Sequence, residues 1–171
     1  MFASKQPGSQ RGNSDYYHLE SEKKRIMKVL KGSGLKEIQV PSLLNASKLL
    51  DLYGEDLRLR AYTTSDPVLG EQVLRPDFTL PILLYHLDSK NKKAKYFYCG
   101  HVWRRQKFSS IIPREQLQIG YEFFDKSTKE SLANDVEAFV LVADILKKNK
   151  VKAVTGDIQI LTSAINGLNT S

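Results

Sequence analysis

The stretch Glu115-Gln116-Leu117-Gln118-Ile119-Gly120-Tyr121-Glu122-Phe123-Phe124 alternates strictly, setting Gln116, Gln118, Gly120 and Glu122 apart from Leu117, Ile119, Tyr121 and Phe123. That period of two belongs to a half-buried strand. Its polar side carries two amides and a carboxylate in a row, interrupted by a glycine that lets something approach the backbone closely. Such a row suits an ammonium or imidazole group. Alternation alone equally describes the solvated outer face of an antiparallel sheet, so the flanking segments decide between the two readings.

Upstream, Lys95-Tyr96-Phe97-Tyr98-Cys99-Gly100-His101-Val102-Trp103 is rich in aromatic and β-branched residues and runs into Arg104-Arg105-Gln106-Lys107-Phe108-Ser109-Ser110. It predicts a strand entering a loop. The chain returns through Pro113-Arg114 into the alternating strand, and the simplest geometry is an antiparallel hairpin. Arg104 and Arg114 then stand near Gln118 and Glu122. Guanidinium donors at one end and a carboxylate at the other match a zwitterion, so the expected ligand is an amino acid or its adenylate. Paired basic residues beside a strand are also ordinary surface charges.

A third segment, Val73-Leu74-Arg75-Pro76-Asp77-Phe78-Thr79-Leu80-Pro81, reads as a short apolar strand broken at Pro76 and followed by an apolar helix through Leu83, Leu84 and Leu87. Asp77 and Thr79 fall at the helix start. They serve there either as caps, worth about 1 kcal/mol each, or as groups facing a ligand's ammonium.

In this order the three segments resemble the class II aminoacyl-tRNA synthetase core of the histidyl branch, with its Leu-Arg-Pro-(Glu/Asp)-x-Thr, Gly-x-x-aromatic-Arg and Gln-Ile-Gly-x-Glu patterns. Here these are Leu74 to Thr79, Gly100 to Arg104 and Gln118 to Glu122. Three ordered motifs are far more specific than one. The resemblance implies an α+β fold, an antiparallel sheet flanked by helices. It also places histidine on Asp77, Thr79, Arg104, Arg114, Gln118 and Glu122. Ile38-Gln39-Val40-Pro41 is similar to motif 1 of that class, which implies a homodimer interface at Ile38, Val40, Pro41 and Leu43.

The sequence departs from working synthetases where those hold ATP. Gln106 stands where a motif 2 Glu is usual, and the nine residues between Arg104 and Arg114 include the run Phe108-Ser109-Ser110-Ile111-Ile112. Such a loop is poor at binding phosphate. With Tyr53-Gly54-Glu55-Asp56-Leu57-Arg58-Leu59-Arg60, the pattern looks most like the regulatory subunits of ATP phosphoribosyltransferase, the histidyl-tRNA synthetase paralogues of histidine biosynthesis. That likeness implies no aminoacylation, no cofactor, assembly with a short-form catalytic subunit and sensitivity to histidine. The alternative is the catalytic-core fragment of a histidyl-tRNA synthetase.

Composition agrees with this. The 171 residues are 41% hydrophobic and 26% charged, as in a globular domain with a core of its own. One cysteine, Cys99, supports neither an internal disulfide, nor a zinc cluster, nor a thiol nucleophile. A reducing cytoplasm is expected. The net charge of +7 reads as a solvated surface rather than a nucleic-acid site, because the lysines are dispersed or gathered at helix ends.

Residues 1–14 lack an apolar run and are expected to be a disordered tail, with one domain over 15–171. The layout expected within it is a helix over 15–31, a strand into Pro41, a helix from Asn45 to Tyr53, and strands near 60–63 and 72–75. After the hairpin follow a helix over 129–148 with Leu132, Val136, Phe139, Val140, Ala143 and Leu146 inward, a strand near 153–156 and a helix over 158–166. In the similar family, motif 3 lies farther along the chain than Ser171, so the domain reads as incomplete at its C-terminal end.

Overall fold

A computed structural model describes residues 13–47, 49, 61–127, 131–154 and 156. The elements are α1 (Asn13–Gly32), β1 (Lys36–Glu37), β2 (Leu43–Asn45), β3 (Tyr62–Asp66), β4 (Gly70–Leu74), α2 (Thr79–Asp88), β5 (Lys93–Trp103), β6 (Glu115–Asp125) and α3 (Ser131–Leu146). They make two three-stranded sheets, ordered β1-β5-β6 and β2-β4-β3. The class is α+β, as expected.

The long hairpin dominates. β5 and β6 pair antiparallel over eleven residues each, with Tyr96 opposite Glu122, Tyr98 opposite Gly120 and Gly100 opposite Gln118. Because side chains alternate, the hairpin has two faces of different composition. Phe97, Ile119, Tyr121 and Phe123 lie on one and pack with Leu30 of α1 and Ile145 of α3. Tyr96, Tyr98, Val102 and Phe124 lie on the other, under Phe78 and Ile82 of the α2 segment. The opposite side of α2, through Leu80, Leu83 and Leu84, covers Val73 of the small sheet. The polar row of β6 is therefore on an inner face, covered by α2, and the outer-face reading is excluded.

Arg75 ties the layers together. Its backbone N–H donates to Ser42 O (2.9 Å) and its carbonyl accepts from Trp103 N (3.1 Å). Its buried guanidinium donates to the carbonyls of His101, Val40 and Pro41 and lies 4.2 Å from the Phe78 ring centre. This explains why Ile38 to Pro41 is not the strand expected from the sequence. Only Ile38 N continues the β1 ladder, to Phe97 O at 3.0 Å; Pro41 has no N–H to give, and its carbonyl and that of Val40 go to Arg75.

Other differences are local. α1 begins at Asn13, inside the stretch expected as a tail, and Gly34 closes it at φ +73°. The strand expected near residue 60 is Tyr62–Asp66, turned into β4 by Asp66, whose carboxylate accepts from Val68 N and Leu69 N at 2.8 Å, and by Gly70 at φ +75°. Ala46, Ser47 and Leu49 are helical; the rest of that expected helix, the Tyr53 to Arg60 pattern, residues 1–12 and the helix over 158–166 lie outside the described residues. Of the strand expected near 153–156, Ala153 and Val154 are exposed and not in a strand, and residue 155 lies outside the described residues.

The inward face of α3 also differs. Ile145 is buried, with Leu141 and Leu146 against the same core, while Leu132, Val136, Phe139 and Val140 are exposed. The helix is apolar nearly all round, so periodicity could not choose its face. Polar ties choose it: Tyr121 donates to Ala138 O (2.6 Å), Asn134 to Asp125 (3.2 Å), and Arg25 of α1 to Ile145 O (2.9 Å).

Candidate functional site

Beside α2 the inner face carries a connected set of polar side chains. Arg104, where β5 gives way to the loop, donates through Nε to Pro76 O (2.7 Å) and through Nη2 to Gln118 Oε1 (3.2 Å). Gln118 Nε2 donates to the Tyr98 hydroxyl (3.2 Å), and Tyr98 in turn hydrogen-bonds Glu122. Thr79, in the first turn of α2, donates to Glu122 Oε1 at 2.7 Å. The chain thus runs from a cation, through an amide and a phenol, to a carboxylate. From Arg104 through Gln118 to Tyr98 each group donates to the next, an arrangement in which one bond polarises the following one.

Burial sets the electrostatics. It pushes the Glu122 carboxyl above its ordinary range, and the charge of Asp77 adds to that, while the bonds from Thr79 and Tyr98 pull it back. The Tyr98 phenol is pushed up to about 12, by burial first and by Glu122 next, so it stays a proton donor to the carboxylate. Two carboxylates near one another in partial burial make the Glu122 end of the row a receptor for a cation. The Arg104 end has guanidinium donors beyond the two it uses here.

The glycine gap has an occupant. A Cβ at Gly120 would sit 2.5 Å from the Tyr98 hydroxyl, so what approaches the backbone there is the Tyr98 ring from the facing strand. Phe78 stacks on that ring with centroids 4.2 Å apart. Gly100 plays the same part for α2, since a Cβ there would lie 2.8 Å from Arg75 Nη2 and 2.9 Å from the Phe78 ring.

Of the residues expected in the site, Asp77, Thr79, Arg104, Gln118 and Glu122 come together. Asp77 keeps a weak capping role as well, accepting from Leu80 N at 3.4 Å. Arg114 contributes only its backbone, its carbonyl accepting from Arg104 N at 2.8 Å, and its side chain is exposed. Tyr98 and the Pro76 carbonyl are additions that single-strand reading missed. In the motif 1 segment, Ile38 is buried in the chain's own core, whereas Pro41 and Leu43 are exposed. Among the described residues no group of three or more His, Cys, Asp or Glu is placed to hold a metal, and no helix is long and apolar enough to cross a membrane.

The profile of the histidyl-tRNA synthetase family matches residues 10–170. A histidine–tRNA ligase of Sulfurisphaera tokodaii is 28% identical over 94% of this chain and 40% of its own length. An ATP phosphoribosyltransferase regulatory subunit of Mesorhizobium japonicum is 30% identical over 84% of this chain and 38% of its own. The chain therefore spans about two-fifths of the relatives it matches. Among solved structures, an ATP phosphoribosyltransferase regulatory subunit/histidyl-tRNA synthetase from Bacillus halodurans superposes with a TM-score of 0.68 at 20% identity, over 89% of this chain and 39% of that one. A histidine–tRNA ligase subunit from Alicyclobacillus acidocaldarius gives 0.68 at 19%, over 89% and 44%. Both are similar in fold.

Proposed function

Because this chain belongs to the histidyl-tRNA synthetase family, we propose that it is a non-catalytic member: a regulatory subunit of ATP phosphoribosyltransferase, binding histidine at the Arg104–Glu122 row and conferring activity and histidine feedback on a short-form catalytic subunit. Relatives of that name, at 29–30% identity, support the reading. The observation that carries it is the loop after Arg104. Gln106 accepts a hydrogen bond from Ser110 Oγ (3.4 Å) where the synthetases resembled here usually place a carboxylate. Beyond it Phe108, Ile111 and Ile112 face solvent with no cation among them. Gln106 and the Phe108 to Ile112 run bring no charged group to a developing phosphate charge, and the loop's cations Arg105, Lys107 and Arg114 stand only at its flanks.

The row also suits the ligand. From Gln118 to Glu122 it spans about 13 Å of strand, enough for an amino acid whose side chain ends in its own hydrogen-bonding nitrogen. Histidine offers an ammonium, a carboxylate and an imidazole to separate partners. The second reading, a catalytic synthetase core, is favoured by the ligase relative.

Histidine-dependent exchange of pyrophosphate into ATP separates the two. We expect none above a no-enzyme control, together with histidine-inhibited phosphoribosyltransferase activity on co-expression with the short catalytic subunit. Exchange above background promotes the synthetase reading.

A cytoplasmic homodimer joined through Val40, Pro41 and Leu43 is the proposed building block. Leu43→Asp should convert it to monomer in sedimentation velocity. A variant that stays dimeric shows that the interface lies elsewhere.

A further inference from the structure

The hairpin loop is hydrogen-bonded across itself and carries apolar side chains that are exposed to solvent. Ser110 N donates to Lys107 O (3.0 Å), closing a turn with Phe108 and Ser109 at its apex. Ser110 Oγ reaches back to Gln106 and accepts from Ile112 N at 3.2 Å. At the base, Arg104 N donates to Arg114 O. On this frame Phe108 is 94% exposed, Ile111 91% and Ile112 52%. Three bulky apolar side chains fixed together in water cost free energy until something covers them.

The flanks say what covers them. From Arg104 to Arg114 there are four cations and no carboxylate, and Arg105, Lys107 and Arg114 are exposed around the apolar tip. An apolar centre with a cationic rim, rich in Arg and aromatic side chains, is the composition of a protein-binding hot spot. A nucleic acid would want the cations at the apex, where the aliphatic groups stand. Among the described residues, the exposed apolar turn Val68-Leu69 offers a contrast: it lies between Asp66 and Glu71, and so lacks a cationic rim.

We propose that the 105–113 loop is a docking wedge that inserts Phe108 and Ile111 into an apolar pocket rimmed by carboxylates on a protein partner, which on the proposed function is the phosphoribosyltransferase catalytic subunit. The wedge springs from the strand ends that hold Arg104 on Gln118, so partner and ligand are gripped at two ends of one hairpin. The partner identity rests on the regulatory reading.

The test measures association of the full chain with the short-form catalytic subunit by surface plasmon resonance, using Phe108→Ser, Ile111→Ser and Lys107→Glu, with Val68→Ser as control and circular dichroism to verify folding. Each loop variant should weaken association at least tenfold, Lys107→Glu less so at high salt, with Val68→Ser unchanged. Wild-type association that survives Phe108→Ser and Ile111→Ser overturns the wedge while leaving the regulatory reading intact. So does a variant that loses only self-association in sedimentation, or only binding to phosphatidylserine vesicles. A wild-type chain that never associates with the catalytic subunit removes the regulatory reading, and the assigned partner with it.

Discussion

Arg75→Met is expected to lower the stability of the domain by on the order of 3–5 kcal/mol, the range for losing one side of a buried, charge-assisted network. Its guanidinium satisfies the carbonyls of His101, Val40 and Pro41 at once, and the methionine leaves all three without that donor beneath α2. Those carbonyls belong to β5 and to the segment before β2, so the loss separates the two sheets rather than loosening one. Since whole domains are stable by only about 5–15 kcal/mol, the variant should unfold at a much lower urea midpoint. Arg75→Lys keeps the charge but not the planar fork, and should fall between. A midpoint for Arg75→Met within error of wild type would show that the sheets are held by their apolar contacts alone. The same residue explains why the Leu74-Arg75-Pro76 motif is not itself a ligand site: its cation is spent on backbone.

How much of this was legible in the sequence depends on whether the decisive partner was local. The hairpin and the polar row were readable because alternation in β6 and the aromatic run of β5 are properties of single segments. What covers the row was not, because α2 reaches it through Phe78 and Ile82, whose packing no periodicity reports. Tyr98 was recoverable: a hairpin folded about Ser109 pairs residues symmetrically, which puts Tyr98 opposite Gly120 and explains the glycine. The face of α3 was not recoverable, because apolar residues surround the helix and the choice falls to ties such as Tyr121 to Ala138 O. Gly34 and Gly70 gave helix end and turn directly, each at positive φ. Motif 1 misled as a strand because Arg75, far along the chain, takes the carbonyls that a neighbouring strand would have used.

Glu122→Gln should have opposite effects on ligand binding and on the stability of the empty protein. Burial, with Asp77 behind it, raises the folded-state pKa of Glu122 above its unfolded value. A raised pKa means that protonation favours folding: the stability it contributes is fully present below the unfolded pKa and is lost as pH rises through the folded one. At neutral pH the ionised carboxylate is therefore a net cost to the empty fold. Glutamine removes that cost and still accepts from Thr79, so the variant should melt higher than wild type at pH 7, and the gain should vanish as the pH is lowered through the Glu122 titration. On the proposed function, histidine binding depends on the charge that glutamine lacks. Removing one side of a half-buried ion pair costs about 2 kcal/mol or more, so affinity should drop by roughly 30-fold or more. In wild type the affinity should decline on acidification through the raised carboxyl range, while in Glu122→Gln it stays flat there. Thr79→Val, which withdraws a bond that stabilises the ionised form, should move the wild-type decline to higher pH. Calorimetric titration with histidine across pH, paired with thermal melts of the empty protein, measures both effects. Undiminished histidine binding by Glu122→Gln would take the ligand off this row, and a lower melting temperature at pH 7 would show the carboxylate to be structural.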